Sequence, residues 1–515
     1  MSDSPLMVGV SGLRGIVGGS LTREVAEAFA GACGRWLRER AAGAARPKVV
    51  IGRDGREGGE TIHGWALGAL MAAGCDVVDL AVAMTPTVGL IVDHIDAAGG
   101  LIVTASHNPQ EWNGLKCLVR AGGEVSVAVG RSAACAPGAA EAGEIVALFR
   151  AAGGKEANGG AANGDAGHGT GSGATRLPGR HFDYPEAHRV HVGRVLTSVE
   201  DELPAIQSRR FRVLVDSVNA SGADGARELL TRLGCELIHH GAERSGVFPH
   251  PPEPTRENLA GMASAMGRLA ADIGFAQDPD ADRLAIVDGQ GRYIGEEYTL
   301  ALAAEAALGE GTEGRRDGGT IGKTESGAAQ RVLVTNLSTS RMIDDVAARH
   351  GARVVRTPVG EANVVEAMKR EAAAGADVVL GGEGNGGVIW PSVTYVRDSL
   401  SAMALVLSLM ARTGRSVAEL VAGVPSYAIE KRKVEIARRE DASPAVEKIA
   451  AAYGEHRVDR QDGVRVDFAR GPLAGKAWLH VRASNTEPIM RLIAEAPTAA
   501  EARAVLDEAA RVIGG

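Results

Sequence analysis

Four times along this chain an apolar, β-prone run stops abruptly in a loop crowded with polar side chains, and that recurrence restricts the fold more than any other feature. Leu101-Ile102-Val103 delivers Thr104-Ala105-Ser106-His107-Asn108-Pro109, and Asp272-Ile273-Gly274-Phe275-Ala276 delivers Asp278-Pro279-Asp280-Ala281-Asp282-Arg283. Asp377-Val378-Val379-Leu380 leads into Gly381-Gly382-Glu383-Gly384-Asn385-Gly386-Gly387, and Ala477-Trp478-Leu479-His480-Val481 into Arg482-Ala483-Ser484-Asn485-Thr486-Glu487-Pro488. Runs of this kind read as strands, and Asn, Pro and Gly clusters end them. Lys48-Val49-Val50-Ile51-Gly52, Asp76-Val77-Val78-Asp79-Leu80 and Leu101-Ile102-Val103 are separated by Ala-rich helical stretches, which predicts α/β units. The alternation restarts at Arg212 and at Arg331, without an exact internal repeat. From 425 to 515 the chain changes to short strands and two amphipathic helices, a separate α+β domain.

Each loop has its own chemistry. In the first, Ser106 is exposed at a strand end, His107 follows it, and Lys116 lies ten positions on, after Asn113-Gly114-Leu115. Pro279 argues against a helix in the second, so Asp278, Asp280 and Asp282 alternate along a strand-end loop. Three carboxylates that close repel unless a cation neutralises them, and an all-oxygen set selects a hard ion such as Mg²⁺ or Ca²⁺. An EF-hand would need glycine at its sixth position and glutamate at its twelfth. Arg283 and Gly289 stand there instead.

In the third loop Gly382, Gly384 and Gly387 satisfy G-x-G-x-x-G, but that fingerprint requires a following helix. Val388 to Tyr395 is β-prone and broken by Pro391, so a glycine frame presenting Glu383 and Asn385 to sugar hydroxyls is the better reading. The fourth combines one guanidinium, two hydroxyls and an amide, a credible phosphate cradle. A solvated acidic turn, a plain glycine hairpin and an ordinary capped turn are the bland counterparts of the last three.

Taken together the four loops resemble the α-D-phosphohexomutase family: a T-A-S-H-N-P phosphoserine loop, a D-P-D-x-D-R metal loop, a G-E-x-x-G sugar loop and an R-x-S-N-T-x-P phosphate loop, in order. Val10-Ser11-Gly12-Leu13-Arg14-Gly15 and Thr357-Pro358-Val359-Gly360-Glu361 resemble two further family segments. The resemblance implies three related α/β domains and a smaller C-terminal α+β domain around a central cleft. They would span 1–190, 191–296, 297–424 and 425–515, with Gly-rich inserts at 151–179 and 309–327. It implies that Ser106 carries a phosphoryl group and that Asp278, Asp280, Asp282 and the phosphoserine oxygen hold Mg²⁺. Arg14, His107, Lys116 and Arg283 would line the reaction centre, with Lys116 transferring a proton. Glu383 and Asn385 would bind sugar hydroxyls, Thr357 and Gly360 would contact substrate, and Arg482, Ser484, Asn485 and Thr486 would grip the other phosphate.

The implied reaction interconverts hexose 6-phosphate and hexose 1-phosphate through a hexose 1,6-bisphosphate, which also serves as activator. The G-E-G-N-G-G loop, the V-S-G-L-R-G opening and the T-P-V-G-E-A-N turn are most similar to a phosphoglucosamine mutase branch. Many family members have serine at the position of Asn385 and histidine at that of Gly387. Ser484-Asn485-Thr486 is commoner in glucose and mannose mutases, where many glucosamine enzymes have Ser-Gly-Thr, so a phosphomannomutase/phosphoglucomutase is the alternative. A dinucleotide-dependent oxidoreductase and a non-catalytic sugar-phosphate sensor are the readings from other classes.

Composition sets outer limits. The chain has 515 residues, 45% of them hydrophobic, enough for several domains. A net charge of −8 gives no global field for nucleic acid, so an anionic substrate must be drawn by locally placed Arg and Lys. Five cysteines show no metal-like spacing and suit reduced cytosolic thiols. No apolar run reaches membrane-spanning length and Met-Ser-Asp-Ser-Pro does not resemble a signal peptide. The expectation is a soluble, cytoplasmic monomer or homodimer whose partner is a small hexose phosphate, with no nucleic acid and no membrane.

Overall fold

The computed structural model describes residues 6–41, 46–120, 134–154, 178–309, 329–436, 438–483 and 489–514. Within them one arrangement is used three times. The strands Lys48–Arg53, Asp76–Val82 and Gly99–Val103 lie parallel in the order second-first-third, and Trp112–Arg120 joins antiparallel beside the third. Arg212–Asp216, Glu236–His240, Ile273–Gln277 and Leu284–Asp288 repeat that order and polarity. Arg331–Asn336, Arg353–Thr357, Asp377–Glu383 and Gly387–Ile389 repeat it again. The internal repeat is therefore one of topology, invisible as residue identity because only burial and turn chemistry need recur.

Ser106, the three aspartates and Asn385 each occupy the turn between the third strand and its antiparallel partner, and Glu383 ends the third strand of its unit. A parallel strand needs a long crossover, whereas an antiparallel hairpin needs only a short loop. Placing the polar loop at this hairpin fixes it to a rigid frame on both sides.

The first sheet is extended by Met7–Gly9 and Gly12–Ile16 on one edge and by His181–Asp183 on the other. The C-terminal unit is an all-antiparallel sheet of five strands, Ala428–Glu435, Ile489–Ala496, Trp478–Ala483, Val464–Asp467 and Arg457–Asp459 in spatial order. It buries its own core, including Ile449, Val464, Leu479, Leu492 and Leu506, against the helices Ala442–Ala452 and Ala499–Gly514.

The first three units share a core. Helix Glu296–Gly309 is buried on nearly every side from Thr299 onward and packs against helix Ser399–Thr413, which is buried from Ser399 to Met410. A helix apolar all round belongs inside a large domain assembly. Asp398 caps the second of these, its carboxylate accepting the N–H groups of Leu400 and Ser401 at 3.0 Å each, and Gly414, at φ 68°, ends it.

Helix Ala187–Ser198 runs across the expected boundary at 190 and packs on helices of both the first and second units. Most of the expected inserts at 151–179 and 309–327 lies outside the described residues. The helices Ala139–Ala151 and Glu296–Gly309 end where those two segments begin. Among the described residues no helix is long and apolar enough to cross a membrane, and Cys33, Cys75, Cys117, Cys135 and Cys235 are all free thiols.

Candidate active site

Ser106 sits at φ 52°, a left-handed conformation that a non-glycine residue adopts only when its surroundings enforce it. Those surroundings are specific. The Ser106 N–H donates to Thr104 Oγ1 at 2.8 Å, Thr104 Oγ1 donates to Asp54 Oδ2 at 2.6 Å, and Asp54 is paired with Arg56 at 2.9 Å. Arg56 is 1% exposed and spends its remaining donors on backbone, the Ser106 carbonyl and the Trp112 carbonyl at 2.6 Å. Asp54 and Arg56 were not singled out by the sequence. Their signal, Gly52-Arg53-Asp54-Gly55-Arg56 at the end of a β-run, is that of an ordinary polar turn until the fold brings it beneath Ser106.

Ser106 is 1% exposed, not the exposed strand-end side chain the sequence suggests, because the aspartate loop packs against it: its hydroxyl donates to Asp278 Oδ2 at 3.0 Å and lies 3.4 Å from both His107 Nδ1 and Arg283 Nη2. Arg283 Nη2 also contacts His107 Nδ1. Burial, with Arg283 and Arg14 nearby, pushes His107 down to about 3, so its ring is neutral at physiological pH. Arg14, itself lowered by burial, donates to Asn108 Oδ1 at 3.0 Å and so holds the far side of the serine turn.

Asp278, Asp280 and Asp282 are each 0% exposed, with one oxygen apiece within 4.8 Å of the others. Pro279 and Ala281, the latter at φ 54°, curl the loop so that alternate side chains converge. Lys116 Nζ donates to Asp280 Oδ2 at 2.6 Å and lies 3.6 Å from Asp282 Oδ2. Lys116 faces the loop because its strand pairs Lys116 with Ile102 in register. Thr85 Oγ1 donates to Asp280 Oδ2 as well, at 2.7 Å. Burial and the like charges of Asp282 and Asp280 hold Asp278 well above the usual carboxylate range, while Lys116 overcomes burial to keep Asp280 below it. Asp280 Oδ1 and Asp282 Oδ1 are buried without any hydrogen-bond partner. Orphaned, converging carboxylate oxygens beside the like-charge repulsion that raises Asp278 fit a hard divalent cation.

The third loop approaches the second through backbone. The Leu284 N–H donates to the Gly386 carbonyl at 3.0 Å. Gly386 has φ 83°, and a Cβ there would lie 2.5 Å from the Leu284 carbonyl oxygen, so only glycine fits. Glu383 is more engaged than a free sugar acceptor would be. Its carboxylate accepts from Asn336 Nδ2 at 2.8 Å, Arg397 Nη1 at 2.8 Å, the Gly360 N–H at 3.3 Å and Asn385 Nδ2 at 3.4 Å. Asn385 closes its own turn, Oδ1 accepting from the Gly387 N–H at 3.2 Å. Thr357, 3% exposed, donates to the Pro358 carbonyl at 2.9 Å.

Arg397 joins the loops. It contacts Asp282 Oδ2 at 2.7 Å, Glu383 Oε2 at 2.8 Å and Glu361 Oε2 at 3.3 Å. No sequence pattern marks it, since it stands among Tyr395, Val396 and Asp398 with no loop signature. Its neighbour Asp398 is buried against His191 Nε2 at 3.0 Å, and His191 Nδ1 reaches Thr87 Oγ1 at 2.9 Å, which fixes this corner to the first unit. Arg482 Nη1 donates to Asp462 Oδ2 at 3.0 Å, and the Val359 N–H donates to the same oxygen at 3.1 Å. The C-terminal unit therefore touches the Thr357–Gly360 turn through Asp462. Ser484, Asn485 and Thr486 lie outside the described residues.

The comparisons agree with this arrangement unit by unit. The phosphoglucomutase/phosphomannomutase family matches as alpha/beta/alpha domain I over residues 5–133, domain II over 193–291, domain III over 297–427 and the C-terminal domain over 433–512. A phosphoglucomutase/phosphomannomutase of Thermococcus kodakarensis is 34% identical over 504 residues, 97% of each chain. A phosphoglucosamine/phosphogalactosamine mutase of Sulfurisphaera tokodaii is 27% identical over 513 residues, 99% of each chain. Among solved structures, a phosphoglucomutase/phosphomannomutase family protein of Burkholderia thailandensis shares the fold with a TM-score of 0.75 at 23% identity, covering 98% of each chain. By these matches, over nearly its whole length and in each of its four units, the chain belongs to the phosphoglucomutase/phosphomannomutase family, the α-D-phosphohexomutases.

Proposed function

We propose that this enzyme interconverts the 6-phosphate and 1-phosphate of a hexose, with glucosamine phosphate as its preferred substrate, by way of phosphoserine at Ser106. The observation that carries the reading is the buried Ser106 hydroxyl, set in a left-handed turn 3.0 Å from Asp278 and among Arg283, His107 and Lys116. Asp278, Asp280 and Asp282 would hold Mg²⁺, which when bound supplies charge neutralisation for the transferring phosphoryl group. Phosphoryl transfer asks mostly for in-line positioning and neutralised charge.

In the first half-reaction the bond from phosphorus to Ser106 Oγ breaks as a substrate hydroxyl oxygen bonds to phosphorus. The hydroxyl proton ends on the freed Ser106 Oγ, with Lys116 as the proton-transfer group beside the metal loop. Arg283 and Arg14 balance charge at the serine turn. Arg482 holds the phosphate that does not react. The hexose 1,6-bisphosphate then reorients and returns its other phosphate to Ser106, and the same bisphosphate primes an unphosphorylated enzyme. Loop contacts between Arg482, Asp462 and Val359 would open and close as the C-terminal unit moves.

Glucosamine is favoured by the Gly-Glu-Gly-Asn-Gly-Gly loop and by the mutase names of relatives such as that of Sulfurisphaera tokodaii. Glucose and mannose phosphates are the alternative, favoured by Ser484-Asn485-Thr486 and by the Thermococcus kodakarensis relative. The five free thiols suit a reducing, cytoplasmic setting, with a monomer or homodimer as the working unit. A coupled assay on the 1- and 6-phosphates of glucosamine, glucose and mannose, primed with the matching bisphosphate, tests the reading. Highest kcat/KM on glucosamine phosphate supports it, and a preference for mannose or glucose transfers the assignment to the alternative. No turnover on any of the three rejects both.

A further inference from the structure

A closed run of hydrogen bonds links the Glu383 loop to Arg482 across the boundary between the third and C-terminal units. The Glu383 carboxylate accepts from Asn336 Nδ2 at 2.8 Å, and Asn336 Oδ1 accepts from the Ser338 N–H at 2.8 Å. The boundary is crossed between Ser338 Oγ and His480 Nδ1, 2.9 Å apart. His480 Nε2 lies 2.7 Å from the Asp462 carbonyl oxygen, and the Asp462 carboxylate holds Arg482 Nη1 at 3.0 Å. The same carboxylate oxygen accepts from the Val359 N–H at 3.1 Å, and the next N–H, that of Gly360, donates back to Glu383 at 3.3 Å. The run begins and ends on Glu383.

His480 is suited to the crossing point. It is fully buried and stands two residues from Arg482 on strand Trp478–Ala483, so both side chains project from one face of that strand. A carbonyl oxygen can only accept, so Nε2 carries the ring hydrogen and Nδ1 is left to accept from the Ser338 hydroxyl. Burial, with Arg465 and Arg482 nearby, pushes His480 down to about 4, and the neutral ring keeps its one donor and one acceptor at physiological pH. Other contacts dock the two units, among them the Arg341 N–H on Glu495 Oε1 at 3.0 Å and Arg465 on the Leu337 carbonyl. The Ser338–His480 contact differs in leading to Glu383 on one side and to Arg482 on the other.

We propose that His480 is a positioning residue of the mutase reaction: through Ser338 on one side and Asp462 on the other it fixes how far Arg482 stands from Glu383, so that a ligand spanning both groups is gripped at a set length. This rests on the mutase reading above, in which Glu383 faces the sugar and Arg482 the phosphate that does not react. A hexose 6-phosphate and the matching 1-phosphate present a ring and a phosphate in opposite directions. A fixed separation between the two contacts therefore selects both by length and rejects shorter or longer phosphates. Loosening it leaves each contact chemically intact and misplaces one relative to the other, which is enough to lose binding.

The test is a double-mutant cycle on the full-length enzyme in Mg²⁺, with glucosamine 6-phosphate as ligand. Its Kd is read by calorimetry in a Ser106→Ala background, which stops turnover, and KM and kcat are read in the primed enzyme. Ser338→Ala is expected to raise Kd and KM about 3–10-fold, the worth of one lost hydrogen bond, with kcat much less affected. Ser338→Thr, which keeps the hydroxyl, should restore the wild-type values. His480→Gln, whose amide reaches towards Asp462 in place of Nε2 but leaves Ser338 without its acceptor, should match Ser338→Ala. In an Arg482→Met background Ser338→Ala should have no further effect, because the group being positioned is gone. An undiminished Ser338→Ala effect in that background overturns the proposal, since it marks a general loosening of the unit boundary. Unchanged affinity in Ser338→Ala overturns it as well. A wild type that neither binds nor turns over the 6-phosphates of glucosamine, glucose or mannose overturns the mutase reading and this proposal with it, a failure told apart from the other two by the silent wild type.

Discussion

Arg397 holds three carboxylates at once, Asp282 from the metal loop, Glu383 from the sugar loop and Glu361 from the turn before it, and no other side chain type could replace it. A planar guanidinium offers several donors in a fixed fork, while an ammonium is a single point charge. Arg397→Lys should therefore fold yet lose most turnover, because the Asp282 and Glu383 contacts cannot both be kept. Arg397→Met leaves buried carboxylates uncompensated and should cost about 3–5 kcal/mol of stability, measured by denaturant unfolding. Wild-type kcat/KM in Arg397→Lys would contradict the linking role.

Arg482 is expected to behave differently. Losing one charge-assisted grip on a phosphate costs about 1.5–3 kcal/mol, or about 10–160-fold in KM, and should leave kcat much less affected. Arg482→Lys kinetics on the preferred hexose phosphate checks this, and a collapsed kcat with unchanged KM would place Arg482 at the reacting phosphate instead. Ser106, the three aspartates, Glu383 and Arg482 could be singled out in the sequence because each stands in a loop whose residue types have few other uses. Arg397, Asp54, Arg56 and Asp462 could not, because a single charged residue acquires its role from partners that only the fold supplies, as Arg397 does from Glu383 and Asp282, 14 and 115 positions away. Asn385 was read as a sugar ligand, and its side chain closes its own turn. Asn385→Ser therefore decides between the two roles: a changed ratio of glucosamine to glucose and mannose turnover supports sugar contact, equal proportional losses support turn shaping.

At the scale of elements, the serine loop is a hairpin held from below. Arg56 and Asp54 are a buried pair, and removing one partner should cost about 3–5 kcal/mol. Arg56→Met should lower both the melting temperature and kcat, since the left-handed Ser106 backbone loses its anchor on the Ser106 carbonyl. A melting temperature and kcat equal to wild type would show that the hairpin sustains itself.

A second element-scale expectation concerns His250 and Asp216, 2.9 Å apart on the second unit. The hydrogen bond to Asp216 raises His250 above its ordinary value against the pull of burial. A raised folded-state value means the stabilisation is full below the unfolded histidine value of about 6.5 and is lost as pH rises through the folded one. The stability gap between wild type and His250→Gln should thus be larger at pH 6 than at pH 8.5 in urea unfolding. A gap that widens with pH would refute the pairing. The strands were readable from apolar runs closed by turn residues. Their order was not, because the second-first-third-fourth sequence depends on which crossover packs where, and three unlike sequences satisfy it.

For the whole molecule, three copies of one α/β arrangement each deliver a hairpin to one cleft, and the C-terminal sheet adds Arg482 beside the Thr357–Gly360 turn. The cation is expected to be required by the ensemble. Chelation should abolish turnover, added Mg²⁺ should restore it, and Asp280→Asn should weaken Mg²⁺ binding, whereas unchanged turnover and metal affinity in Asp280→Asn would remove the aspartates from that role. The central claim is that Ser106 carries the phosphoryl group between substrate positions. It is tested most directly by intact-mass and peptide mapping of the enzyme after incubation with the bisphosphate, beside turnover of Ser106→Ala. One phosphoryl group on Ser106 and an inactive Ser106→Ala protein are the expected results, and a fully active Ser106→Ala protein, or a phosphoryl group carried elsewhere, would contradict the account.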